Sequence, residues 1–395
     1  MFLPQGYFLN GISCGIARRG KRDIALIYSE VPCVAAGLFT KNQVKAAPLI
    51  ISKKHLRKGR AQAILVNSEC ANACTGNRGM EDAEAVVTDI ASRLGIRKTD
   101  VLLASTGVIG RFLPMNRVKE GIRKITETVG TRSMPEFFAQ AIMTTDTIPK
   151  IVSRQFLTEN GKRAVVCGLA KGAGMVHPEL ATFLCFIITD IAINRRMLQK
   201  SLMAAVEKSF HSLTIDGEMS TNDSVLILAN GRAGNRPING ANRDFLNFQN
   251  SLTQVTTGLA ELIARDGEGA TKLVRIIVRN GKDVLSARSI ARHIARSPLI
   301  KTAIYGSDPN WGRIMAAIGS SGERVDPERI DIYFGKLQVA KNGRASLYSE
   351  KEAKRILEKR EVEIVVDLKQ GRGEAKVYTC DLGPDYIKIN SSYTS

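Results

Sequence analysis

The chain has 395 residues, 44% of them apolar and 24% charged, with a formal net charge of +19. That length exceeds one ordinary core, and the composition is that of a soluble globular protein, so two domains, or one large domain with an appendage, are expected. No basic segment followed by an apolar stretch opens the chain, and no apolar run approaches the ~18–20 residues of a membrane helix, so neither a secretory signal nor a membrane span is expected.

Seven cysteines, at 14, 33, 70, 74, 167, 185 and 380, form an odd, scattered set that fits a reduced, cytoplasmic chain. Cys70 and Cys74 have only His55 within 20 residues, too few ligands for a zinc site, and no metal is expected. The basic clusters at 53–60, 117–124 and 351–360 are short, separated and mixed with acids. Without an RNP-like aromatic pattern, finger spacing or basic tail, nucleic acid is not an expected partner. A surface that attracts acidic metabolites or coenzyme phosphates, or one merely solvated, reads as well.

In chain order, Asp23–Tyr28 and Ala35–Thr40 read as short strands, and Ala63–Asn67 as a buried one. The loop Asn67–Gly76 that follows is small and polar, either turn chemistry or a site. Ala83, Val86, Val87, Ile90 and Leu94 share one helical face, with Gly95 as the stop. Val101–Ser105 is a strand running into Thr106-Gly107-Val-Ile-Gly110. Glycines after a strand leave backbone N–H groups open to an oxyanion or phosphate, although a plain tight turn has the same signature.

Asn116 is expected to cap a helix burying Val118, Ile122, Ile125 and Val129. Met143–Lys150 is dense in hydroxyls, as a cap or as the wall of a polar pocket, and Arg163–Cys167 is a strand. The run Lys171-Gly-Ala-Gly-Met-Val-His-Pro-Glu-Leu-Ala-Thr182 is a glycine-punctuated loop leading into six apolar residues, the pattern of a buried strand. Thr182 thus stands at a strand's mouth. A cut between Ala181 and Thr182 gives Thr182 a hydroxyl and a free α-amine together, a nucleophile with its own base.

Asn194 caps a helix with Leu198, Leu202, Val206 and Phe210 inside, and a second polar loop, Thr214–Asp223, precedes the strand Val225–Leu228. Residues 243–264 are a long amphipathic helix, Val274–Val278 a strand, and 286–296 helical up to Pro298. Beyond about residue 325 come strands at 330–334, 362–366 and 375–380, a helix at 350–359, and a hairpin loop at 369–373. The mixed pattern closes with a small α+β module.

Eight stretches, taken together and in order, resemble the ornithine acetyltransferase (ArgJ) family of arginine biosynthesis along essentially the whole chain. They are Ala35–Thr40, Ala71–Gly76, Ser105–Gly110, Met143–Thr147, Lys171–Thr182, Asp216–Asp223, Asp266–Lys272 and Gly306–Arg313. The resemblance implies an α+β protein with an αββα layered fold and a smaller C-terminal domain, divided at 1–275 and 276–395. It also implies self-cleavage at Ala181–Thr182 into α and β chains. Thr182 then accepts acetyl from N-acetylornithine and delivers it to glutamate.

Thr106 and Gly107 match the family's oxyanion-hole pair; Thr145, Lys171, Glu268, Asn390 and Ser395 match substrate-binding positions. No bound cofactor is implied, acetyl-CoA as a further donor is left open, and the family suggests two αβ units. Glu69-Cys70 departs from the family's usual Gly-Asn, making that loop bulkier and more acidic. An amidohydrolase or aminopeptidase using the same N-terminal threonine is the alternative reading.

Overall fold

One strand, β2 (Ile24–Phe39), is 16 residues long and holds two layers together. Its first part, Ile24 to Tyr28, pairs antiparallel with β3 (Arg60–Asn67); its last part, Val34 to Phe39, pairs antiparallel with β8 (Ser224–Ala229). Between them the register with β3 shifts, as it does where a bulge bends a strand. The two strands expected at 23–28 and 35–40 are therefore one continuous element. This computed structural model of the chain describes residues 1–17, 20–177 and 183–392, so Ala181, Thr182 and Ser395 lie outside the described residues.

Around β2 the first sheet runs β4-β3-β2-β8-β7-β6-β5, with β1 (Tyr7–Ile12) also paired to β2. Here β4 is Val101–Ser105, β5 Lys150–Leu157, β6 Arg163–Lys171 and β7 Leu184–Thr189. Side-chain alternation divides each inner strand between two cores. Ile64, Val66, Leu102 and Ala104 face Leu169, Phe186, Ile188, Leu226 and Leu228 in one cluster between the two halves of the sheet. Ala63, Leu65, Val101 and Leu103 turn outward to α1 (Ala47–His55), α2 (Gly76–Leu94) and α3 (Met115–Glu127). On the far side Val166, Cys185, Ile187, Val225 and Ile227 meet α5 (Arg195–Lys208) and α6 (Arg243–Arg265); the short α4 (Pro135–Ala141) closes the middle layer with Phe138. The order is helix, sheet, sheet, helix. Strands covered on both faces explain why their sequences read as unbroken apolar runs.

A second sheet runs β12-β11-β10-β13-β9-β14. Its strands are β9 (Leu273–Gly281), β10 (Asp331–Phe334), β11 (Leu337–Lys341), β12 (Arg344–Ala345), β13 (Glu361–Asp367) and β14 (Gly373–Cys380). It buries Val274, Ile276, Val362 and Ile364 against α7 (Val284–Arg296), α8 (Pro298–Tyr305), α9 (Trp311–Gly319) and α10 (Glu350–Leu357). The last described helix is α11 (Pro384–Ser392). Position 275/276, the boundary expected from the resemblance, falls inside β9, whose parallel pairing with β13 starts at Leu273.

Three local expectations change. Met115 already begins α3 after Pro114, so Asn116 sits inside the helix instead of capping it. Residues 369–373 are not a hairpin loop, because β9 lies between β13 and β14 in the sheet. Pro298 ends one helix and also starts α8, with Ser297 accepting from Ile300 N. Asn194 does cap α5, accepting from Met197 N at 2.9 Å, and Gly95 closes α2 with φ 63°. Among the described residues no helix is long and apolar enough to cross a membrane.

Candidate active site

The ends of β3, β4 and β6 bring their loops to one place. Thr106 follows β4 directly, and its N–H donates to Asn67 O, at the end of β3, at 3.0 Å. Gly107 has φ 126°, and a Cβ there would stand 2.2 Å from the Glu69 carbonyl carbon. Only glycine fits both that backbone and that approach. The two loops are tied by Asn222, whose amide donates to Ala71 O at 2.7 Å and Ser105 O at 2.8 Å. Asn222 belongs to the polar stretch before β8, so this arm reaches from the other half of the sheet.

Lys171 is the last residue of β6 and points into the same space. Its ammonium donates to Thr106 Oγ1 at 3.1 Å and to Thr144 Oγ1 at 2.8 Å. Burial holds the Lys171 pKa below the ordinary lysine value, against the pull of the Asp146 carboxylate. For Asp146 burial acts upward, yet the nearby Lys171 and Lys150 ammoniums outweigh it and hold the carboxyl below its usual range. Asp146 also accepts from Gly172 N at 2.7 Å. Lys150 is fully buried between Asp146, 2.6 Å away, and Asp266, so the threonine loop, β5 and the end of α6 share one charged knot.

Glu268 follows that knot. Its N–H donates to Ala173 O at 2.8 Å, and a Cβ on Gly174 would meet its carboxylate at 2.3 Å. Asn390 of α11 donates to Glu268 Oε2 at 2.8 Å, while Gly269, φ 68°, lets the backbone pass under Tyr386. Asp216 accepts from Val176 N at 2.9 Å and from the Tyr386 hydroxyl at 3.4 Å, tying the 172–176 loop to the C-terminal helix.

These groups enclose a cavity of about 130 Å³ lined by Thr106, Gly107, Thr145, Lys171, Glu268 and Asn390, together with Thr144, Thr221 and Asn222. Six of the sequence-predicted site residues therefore converge. Thr182, Ala181 and Ser395 are not among the described residues, but His177 and Phe183 are. Leu184 pairs with Lys171 across β6 and β7, and Phe183 O accepts from Ser224 N at 3.3 Å. The chain thus enters β7 beside Lys171 of β6. Sequence reasoning missed Thr144 as the hydroxyl bonded to Lys171, and it missed the Asp146–Lys150–Asp266 knot. The signal was the hydroxyl density of 143–147; what it lacked was the partner 119 residues away.

A helix–sheet–sheet–helix body whose strand ends gather hydroxyls, a buried ammonium and a carboxylate in one cavity defines an αββα protein with a candidate active site. The chain belongs to the ArgJ family, whose model matches residues 8–395. It is 46% identical to the arginine biosynthesis bifunctional protein ArgJ of Thermotoga neapolitana over 399 residues, all of both chains. The protein of that name from Caldanaerobacter subterraneus is 44% identical, covering 99% of this chain and 97% of its own. A crystal structure of the arginine biosynthesis bifunctional protein ArgJ from Bacillus halodurans is 42% identical, with a TM-score of 0.52, covering 53% of this chain and 98% of that one.

Proposed function

We propose that this chain is a glutamate N-acetyltransferase of arginine biosynthesis, moving acetyl from N2-acetylornithine to L-glutamate through an acetyl-Thr182 intermediate, after cutting itself between Ala181 and Thr182. The observation that carries it is the meeting of Lys171, Thr106, Gly107 and Glu268 where the chain enters β7, in a member of a family whose relatives are named for arginine biosynthesis. The Bacillus halodurans chain supports the cut: nearly all of its length aligns with only 53% of this chain. A break before Thr182 leaves 214 of 395 residues in the second piece, a similar share.

In this reading the Thr182 hydroxyl first attacks the Ala181 carbonyl, the peptide C–N bond breaks to leave an ester on Thr182 with its amine freed, and water hydrolyses that ester to the Ala181 carboxylate and the Thr182 hydroxyl. That amine, of ordinary pKa ~7.7–8.0, is partly neutral at pH 7 and takes the hydroxyl proton as the oxygen attacks the acetyl carbon. Ornithine leaves carrying the proton, and the amine of glutamate then attacks the acetyl ester and regenerates the hydroxyl. Each tetrahedral oxyanion is met by the Thr106 hydroxyl and the Gly107 N–H, a donor in such a hole being worth ~2.7–4 kcal/mol. Lys171 binds a substrate carboxylate and Glu268 the cationic amine, with Thr145, Asn390 and Ser395 completing the pocket. Acetyl-CoA serves as a second donor in the bifunctional form of this reading. Two domains meeting near the start of β9, a cytoplasmic location and an assembly of two αβ units belong to the same proposal.

On a denaturing gel, active protein should run as two pieces of 181 and 214 residues. Thr182→Ala should run as one band and transfer nothing. A single intact band from active wild-type protein would overturn the reading, as would release of acetate without transfer to added glutamate.

A further inference from the structure

Away from the cavity just described, α7 lines an open cleft of about 590 Å³ with Arg288, Arg292 and Arg296. Their spacing of four residues puts the three guanidiniums in one row, about 12 Å long at 1.5 Å per residue. His293 stands on the same helix, and His211 faces it from the turn after α5. With His177, the cleft gathers three of the chain's four histidines.

Charge in the cleft is one-sided. Lys41 adds a further cation, and Glu207 is the one acid among the described lining residues. Glu207 is already committed, to His211 Nδ1 at 2.6 Å and to Arg288. Arg292 Nη2 donates to His211 O at 2.8 Å. Arg296 is exposed and has no acidic partner among the described residues. His211 Nε2 is buried behind the cleft wall, without a hydrogen-bond partner among the described residues.

We propose that this cleft binds an extended polyanion carrying linked phosphates, its oxygens spread along the arginine row. Guanidinium forks bind phosphate in two-point fashion, and a row 12 Å long suits linked phosphates better than a single carboxylate. The cleft also borders the active site. A Cβ on Gly217 would lie 3.2 Å from Arg296 Nε, and Asp216 next to it holds the 175–176 backbone. Two sources share the ligand's chemistry: the phosphorylated end of an acyl-thioester donor, which rests on the bifunctional reading above, and a free phosphorylated metabolite.

The test uses the full-length protein and inorganic pyrophosphate in calorimetry, with Arg296→Ala and Ser289→Glu as variants, both on the cleft wall and outside the acetyl-transfer machinery. Wild type should bind one pyrophosphate, and each variant should weaken it about tenfold or more, Arg296→Ala by removing a charged hydrogen bond and Ser289→Glu by placing a carboxylate against the phosphates. Acetylornithine-to-glutamate transfer should stay unchanged in both, which shows that they fold and keeps this test separate from that of the acetyltransferase. If KM for acetyl-CoA rises in Ser289→Glu, the donor is the source; if it does not, a free phosphate ligand is. Absence of pyrophosphate binding by wild type, or equal binding by both variants, overturns the proposal.

Discussion

Lys171 sits where a lysine is costly to keep charged. Its ammonium finds two threonine hydroxyls, and the Asp146 carboxylate beside it offsets part of the burial. Because its folded pKa is lowered, the unfolded chain holds a proton there that the folded chain releases first. Stability from this residue therefore rises with pH between the folded value and the unfolded value of about 10.4. Lys171→Met removes that rise. Urea midpoints of the two proteins at about pH 7 and about pH 10 should draw apart in favour of wild type on the alkaline side. Parallel midpoints would show that the lysine is not held in this state. On the proposed reading the same variant should lower kcat/KM by about ten- to a hundredfold, since the ammonium that holds a substrate carboxylate is lost.

At the scale of loops and elements, glycines fix how closely the parts of the site approach. Gly174→Ala puts a methyl 2.3 Å from the Glu268 carboxylate, which is the far end of a flexible side chain and can swing aside. The expected result is a KM for acetylornithine raised about tenfold with little change in thermal midpoint, loss of one charged contact being worth about 1.5–3 kcal/mol. A large fall in midpoint with KM intact would contradict it. Much of this level is legible in the sequence. The apolar runs of β4, β7 and β8 are unbroken because both faces are covered, and Asn194 and Gly95 announce the ends of their helices. Motifs at Ser105–Gly110 and Lys171–Thr182 locate the loops, and six of the site residues named from the family resemblance line one cavity. What sequence reasoning cannot supply is pairing between distant segments. The 369–373 stretch looks like a hairpin because nothing local says that β9, about ninety residues earlier, inserts between its flanking strands. Lys150 likewise reads as an ordinary polar residue until Asp266 is brought against it.

Across the whole molecule, one buried lysine joins the second sheet's helices to the site. Lys301 of α8 donates to Ile215 O and, at 3.3 Å, to Thr379 Oγ1. Ile215 precedes Asp216, whose carboxylate holds Val176 N. Lys301→Met leaves the Ile215 carbonyl buried without this donor, at a cost of about 1–3 kcal/mol. Its effect should also reach the chemistry, with kcat lowered although residue 301 touches no substrate. Stability lost with kinetics unchanged would mean that the link is only structural. The layered body itself depends on the middle cluster, where Phe186 meets Phe138 edge-on at 5.6 Å.

The order of strands in the first sheet has a further consequence for a chain cut at 181–182. Strands β4, β3 and β2 come before the cut, β8 and β7 after it, and β6 and β5 before it again. The downstream pair is held on both sides by upstream strands, through six register pairs to β2 and six to β6. Breaking one peptide bond therefore releases neither piece in the native state, but it changes the molecularity of folding. The precursor folds as one chain in a first-order process; its processed product, once fully denatured, must find its other half in solution. Recovery of native structure after dilution from denaturant should depend on protein concentration for the processed enzyme and be independent of it for Thr182→Ala. Equal concentration dependence in both would mean that the pieces never needed each other to fold. Such a protein assembles its layers once, as a single chain, and from then on keeps them by kinetics as much as by equilibrium.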